Sequence, residues 1–203
     1  MRIGIDFDNT IVSYDALFHK VALETGRMPA SVPVSKVAVR DYLRHTGRED
    51  EWTEMQGYVY GARMCEASAY PGALTFMRSA RNAGHDLFVV SHKTRHPFRG
   101  ERYDLHAAAR GWIAKSMTDD NGCLIEPDRV FFELTKKEKL ERAEKLGVDY
   151  FIDDLPEILN STYFPKNAKP VLFDPDGNHA SEKKLLRLCS WADVSRHLGV
   201  HSE

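Results

Sequence analysis

Apolar and polar residues alternate along this chain with two different periods. Ile3, Ile5 and Phe7 make a short apolar run suited to a buried strand, and it ends in two carboxylates, Asp6 and Asp8. Side chains of a strand repeat every second residue, so both acids fall on one face. Beyond Thr10-Ile11-Val12 the spacing becomes helical. Leu17, Phe18, Val21 and Ala22 predict a helix from Tyr14 to Gly26, and Met28 to Pro33 reads as a loop. Further helices are expected from about Lys36 to His45 and from about Asp50 to Ala67, the latter carrying Trp52, Met55, Val59 and Met64. No strong strand lies between Val12 and Tyr70, so this segment reads as a helical insert.

After Tyr70-Pro71-Gly72, strands and helices alternate. A helix from Ala73 to Ala83 closes at Gly84, and Asp86 to Ser91 is a buried strand leading into a polar loop. A helix from Glu101 to about Met117 follows, then a turn at Asp119 to Gly122 and a strand from Arg129 to Leu134. Thr135 and Glu138 fit a capping box, which starts a helix running from Lys136 to Leu146 and stopping at Gly147. Strands at Asp149 to Asp153 and Pro170 to Asp174 come next, with a last helix reaching Leu198. Trp191 and Leu198 are expected to pack that helix on the sheet. The alternation predicts an α/β fold: a Rossmann-like parallel sheet with helices on both faces and right-handed crossovers. Such sheets form their site beyond the carboxyl ends of the strands. Asp6, Asp8, Ser91, Asp153 and Asp154 all fall there, and Lys136, Lys137 and Lys139 lie in the first turn of the helix that follows a strand.

Charge and composition narrow the partners. The 203 residues are 42% hydrophobic and 29% charged, with a formal net charge of -2. That balance gives no sign of nucleic-acid or anionic-membrane binding, for which a basic excess is expected. Cys65, Cys123 and Cys189 lie far apart without a CxxC spacing, which disfavours a zinc site and a disulfide framework and fits a reducing cytoplasm. No apolar stretch approaches the roughly 20 residues of a membrane span, and no signal-peptide pattern precedes the acidic strand. Two buried like charges cost several kcal/mol unless compensated, and Mg²⁺ held by oxygen ligands is the simplest compensation.

Four features in order, Asp6-x-Asp8-x-Thr10, Ser91 after an apolar strand, a lysine at a helix start, and Ile152-Asp153-Asp154 after another strand, resemble the motifs of the haloacid dehalogenase-like hydrolase superfamily. The likeness covers residues 1–13 and about 70–175. It implies a core domain of residues 1–13 and 70–203, with 14–69 as a small helical cap of the first type. By that resemblance Asp6 is the nucleophile that forms an aspartyl-phosphate, and Asp8 is general acid and then general base. Asp6, the carbonyl of Asp8 and Asp154 hold Mg²⁺, with Asp153 behind them. Ser91 and a lysine, Lys139 or alternatively Lys136, meet the phosphoryl group. Asn9 stands where many members have glycine. Asn9, Thr10, His92, Lys93 and Arg95 are candidate substrate-binding residues; the basic run from His92 to Arg102 reads equally as a solvated loop. The implied activity is a Mg²⁺-dependent phosphomonoesterase acting on a small phosphorylated metabolite, a nucleotide or a sugar phosphate, and the compact 5'-nucleotidases of the superfamily are the most similar branch. The alternatives are a phosphatase of nucleic-acid ends and a phosphate-binding scaffold without turnover.

Overall fold

A computed structural model describes residues 1–200. In chain order the elements are β1 (Arg2–Ile5), β2 (Val12–Ser13), α1 (Asp15–Glu24), α2 (Lys36–His45), α3 (Glu49–Tyr60), β3 (Ser68–Ala69), α4 (Ala73–Asn82) and β4 (Asp86–His92). They continue with α5 (Leu105–Ser116), β5 (Thr118–Asp119), β6 (Gly122–Cys123), β7 (Val130–Glu133), α6 (Lys136–Leu146), β8 (Tyr150–Asp153), α7 (Pro156–Leu159), β9 (Lys169–Phe173), β10 (Leu186–Leu188) and α8 (Trp191–Leu198). The chain divides into two compact units. One comprises Met1–Val12, Ala69–Lys93 and the residues from Met117 onward; the other comprises Ser13–Ser68 and Thr94–Ser116.

The first unit is built on a six-stranded sheet in the order β10-β9-β8-β1-β4-β7. Its neighbouring strands are all parallel. From β1 the chain builds outward through β4 and β7, then returns to the other side of β1 with β8. The strand order therefore reverses between β1 and β8, and a crevice opens at the carboxyl ends of that pair. On one face Phe88, Val90, Phe151 and Leu172 pack with Leu140 and Ala143 of α6 and Ile158 and Leu159 of α7. On the other, Trp191 of α8 lies 5.0 Å from the Phe76 ring of α4 and 5.4 Å from that of Phe173. Burying aromatic rings this large supplies much of the driving force for docking both helices.

The second unit packs α1, α2 and α3 against one another, with Phe18 and Trp52 rings 4.9 Å apart at the centre. The hydroxyl of the buried Tyr14 reaches the sulfur of Met64 at 3.4 Å. The sequence boundaries put 94–116 with the sheet, but the structure packs these residues with the 13–68 helices. Trp112 of α5 donates to the carbonyl of Ala67 at 2.8 Å. Gly57 and Gly61 also let the 94–104 loop lie directly on α3. A Cβ on Gly57 would stand 2.6 Å from Cβ of Pro97, and one on Gly61 would stand 2.4 Å from Cβ of Tyr103.

Several details depart from the sequence expectation, among them the short α7 and a start of α5 at Leu105 instead of Glu101. The helix expected to reach Ala67 stops at Tyr60, where Gly61 turns the chain against Tyr103, and a separate 3₁₀ turn covers Met64–Glu66. The turn at Asp119 to Gly122 joins two paired two-residue strands, β5 and β6. The edge strand β10 also escaped the sequence pattern: three residues are too short to carry an alternation signal, and their pairing to β9 decides their conformation.

Candidate active site

The loop leaving β1 is fixed by its own backbone. The amide of Asp6 donates to the Ile152 carbonyl on β8 at 2.9 Å, which ties the two strand ends together. The Phe7 carbonyl then accepts from the amides of Ile11 and Val12, and the Asn9 amide donates to the Val12 carbonyl. So tight a reversal needs a left-handed residue, and Asn9 has φ 60°, alone among the described non-glycine residues in having positive φ. Asparagine tolerates that region better than most side chains. Trp191 donates from its indole to the Thr10 carbonyl at 3.2 Å, so α8 pins the loop from below. Thr10 itself is fully buried, and its hydroxyl has no hydrogen-bond partner.

Beside this loop sits a buried charge cluster. The ammonium of Lys139 donates to Asp6 at 2.5 Å and to Asp153 at 2.6 Å, all three groups being out of solvent. The second oxygen of Asp153 accepts the Leu155 amide at 3.0 Å. The Phe151 ring stands beside Lys139. A Cβ on Gly4 would lie 2.6 Å from the Phe151 ring, so only glycine leaves room for that ring, and the ammonium passes 5.6 Å from its centre. Burial by itself would lower the Lys139 ammonium, but Asp153 and Asp6 overcome it and hold the lysine charged. Burial pushes the Asp153 carboxyl up, and Lys139 opposes that shift.

Asp154 completes an acidic set: Asp6, Asp153 and Asp154 each offer a carboxylate oxygen within 4.8 Å of the others. Oxygen-only donors of this kind suit a hard cation such as Mg²⁺. Lys139 pairs with Asp6 and Asp153, and Lys93 pairs with Asp8.

The other sequence candidates separate. Lys136 lies on the surface, half exposed, and pairs with Glu157, while Lys137 faces Glu141 at 3.6 Å. Ser91 is buried near the end of β4, where its register partner is Phe132 of β7. His92 follows it, and burial first, then Lys139, holds its imidazole below the ordinary value. Arg95 belongs to the second unit, exposed and 3.2 Å from Asp104, so the structure does not join it to the acids. In the same unit Arg99 pairs with Asp50 at 3.1 Å, and His96 bonds the Tyr103 carbonyl. The expected basic run is thereby divided: His92 and Lys93 stay with the sheet, and the rest holds a loop of the helical unit. One relation was not visible in the sequence. Lys93 grips Asp8, its ammonium 2.7 and 3.0 Å from the two carboxylate oxygens. The only signal for it was a lysine placed just beyond the strand that carries Ser91.

No family model matches the chain. A protein described as a putative nucleotidase from Oceanobacillus iheyensis is 22% identical over 201 residues, covering 95% of this chain and 96% of that protein. The crystal structure of a HAD family hydrolase from Deinococcus radiodurans, with bound phosphate and sodium, superposes with a TM-score of 0.59 at 18% identity, covering 98% of this chain and 94% of that one. A predicted phosphatase from Clostridium acetobutylicum gives a TM-score of 0.57 at 13% identity, with 97% of each chain covered. With the parallel sheet, its reversal at β1 and β8 and these likenesses together, the chain has the fold of the haloacid dehalogenase-like hydrolases.

Proposed function

We propose that the protein is a Mg²⁺-dependent phosphomonoesterase that works through a phosphoryl-aspartate on Asp6. The observation that carries this reading is Lys139 bridging Asp6 and Asp153 beside Asp154, a buried arrangement of cation and acids at the sheet's reversal point. Mg²⁺ would be held by Asp6, the main-chain carbonyl of Asp8 and Asp154, where it would supply charge stabilisation to the transferring phosphoryl group. A carboxylate oxygen of Asp6 attacks phosphorus in line; the ester P–O bond breaks, and the leaving oxygen takes the proton of Asp8. Water then attacks the same phosphorus, Asp8 takes its proton, and the bond to Asp6 breaks to release inorganic phosphate. Lys139 holds Asp6 in place and offsets the charge that gathers around phosphorus, assisted by the Ser91 hydroxyl. Lys139, not Lys136, takes the lysine role, because Lys136 is engaged with Glu157.

A small phosphorylated metabolite is the substrate class, and the nucleotidase description of a relative spanning the whole chain favours a nucleotide over a sugar phosphate. A reducing cytoplasm remains the expected compartment. Asp6→Asn tests the mechanism. It should abolish phosphate release from a panel of nucleoside monophosphates and sugar phosphates with Mg²⁺ while circular dichroism stays unchanged. Turnover surviving in that variant would refute the covalent route, and a wild-type protein silent on the whole panel would favour a non-hydrolytic phosphate binder.

A further inference from the structure

We propose that Lys93 is the positioning residue for Asp8, holding its carboxyl group in the one orientation from which it exchanges protons with the leaving group and with water. The inference rests on the phosphatase reading above and concerns how its acid-base group is controlled. The site's two buried lysines divide the acids between them. Lys139 is committed to Asp6 and Asp153, whereas Lys93 meets both oxygens of Asp8, at 2.7 and 3.0 Å. Lys93 is only 5% exposed, and a lysine ammonium so removed from water costs several kcal/mol unless a partner compensates. The Asp8 side chain retains 22% exposure, so it stays reachable from the crevice while being gripped from behind.

Lys93 is itself immobilised. Its amide donates to the Glu133 carbonyl at 2.8 Å, extending the β4–β7 ladder by one residue, and its ammonium lies 5.8 Å from the Phe7 ring centre. Asp8, by contrast, sits in the tight loop just before the left-handed Asn9, where its short side chain could take several rotamers. A bidentate pair to a fixed lysine selects one of them.

The pairing also favours one half of the reaction. Once the proton has passed to the leaving oxygen, Asp8 is a carboxylate, and the ammonium of Lys93 keeps both of its oxygens in place. The second step needs this carboxylate, oriented on water, to take a proton while the Asp6–phosphorus bond breaks. Loss of Lys93 should therefore slow hydrolysis of the phosphoryl-aspartate more than its formation.

Rapid-quench kinetics with p-nitrophenyl phosphate test this, because nitrophenolate leaves without needing a proton. Lys93→Met should keep a burst of about one nitrophenolate per protein while its steady-state rate falls about tenfold or more, up to the roughly 10²–10⁴-fold that general acid–base catalysis contributes. Lys93→Arg, which still offers two donors to a carboxylate, should restore most of the rate. In an Asp8→Ala background Lys93→Met should add no further loss, since a residue acting through Asp8 has nothing left to act on. A vanished burst with a several-fold higher KM would mean that Lys93 binds the phosphoryl group directly, and the proposal would fall. Additive losses in the double variant, or unchanged turnover in Lys93→Met, would overturn it as well. If Lys93→Met unfolds, Lys93→Gln, which keeps one donor, takes its place and should fall between Lys93→Arg and the wild type's Asp8→Ala variant in rate; an order outside that range also refutes the idea. Failure of the phosphatase reading is recognised separately, by a wild-type protein that neither bursts nor turns over.

Discussion

Lys139 and Lys136 are three residues apart on one helix and share a residue type, yet their surroundings give them opposite energetics. Lys139 pairs with both Asp6 and Asp153, and both acids are buried. Lys139→Met should therefore cost about 3–5 kcal/mol in denaturant unfolding without metal, because it strands two buried carboxylates together. Lys136→Ala should change stability by no more than about 0.5 kcal/mol, since its pair with Glu157 is solvent-screened at the surface. The same measurement decides which lysine the site depends on. Residue type and helical turn alone do not separate the two, because a helix start shows which residues share a turn but not which of them the sheet covers. The resemblance favoured Lys139 by its spacing to Gly147 and the acidic pair, and the geometry places its ammonium between the acids. Asn9 was legible as a departure from glycine and as a candidate substrate-binding residue, but not as the left-handed residue of the loop.

At the scale of elements, local chemistry was a good guide wherever it was self-sufficient. Thr135 accepts from the Glu138 amide and α6 ends at Gly147 with φ 60°, as the capping box and the terminal glycine predict. Elements whose limits are set by a distant neighbour were misjudged: α3 ends early because Tyr103 occupies the space beside Gly61, and β10 exists because β9 offers it an edge. Gly4 illustrates how an element's interior can serve a site it never touches. Within an apolar strand run it carries no signal, but it makes space for the Phe151 ring, whose centre lies 5.6 Å from the Lys139 ammonium. Gly4→Ala should destabilise the protein by about 1–3 kcal/mol through overpacking, read as a lower midpoint in urea at unchanged slope. A variant as stable as the wild type would show that the ring is free to move aside.

For the molecule as a whole, the acids should make stability depend on metal. If Asp6 and Asp154 bind Mg²⁺ in the folded state alone, Mg²⁺ at 100 times its dissociation constant contributes about 2.7 kcal/mol, and Asp154→Asn should remove most of that thermal shift. An equal shift in the variant would place the cation elsewhere. Among the described residues no helix is long and apolar enough to cross a membrane. What the sequence determined by itself was the periodic part: the apolar strand runs, the helix caps, the α/β alternation and the placing of acids at strand ends. These are legible because burial and capping leave their marks on residues close in the chain. Strand order, the packing of 94–116 with the helical unit, the division of the basic run and the grip of Lys93 on Asp8 were decided only by tertiary structure. Each joins residues far apart in sequence, and no local pattern records which distant side chain will compensate a buried charge. The acids could be found by reading, but their partners had to be folded into place.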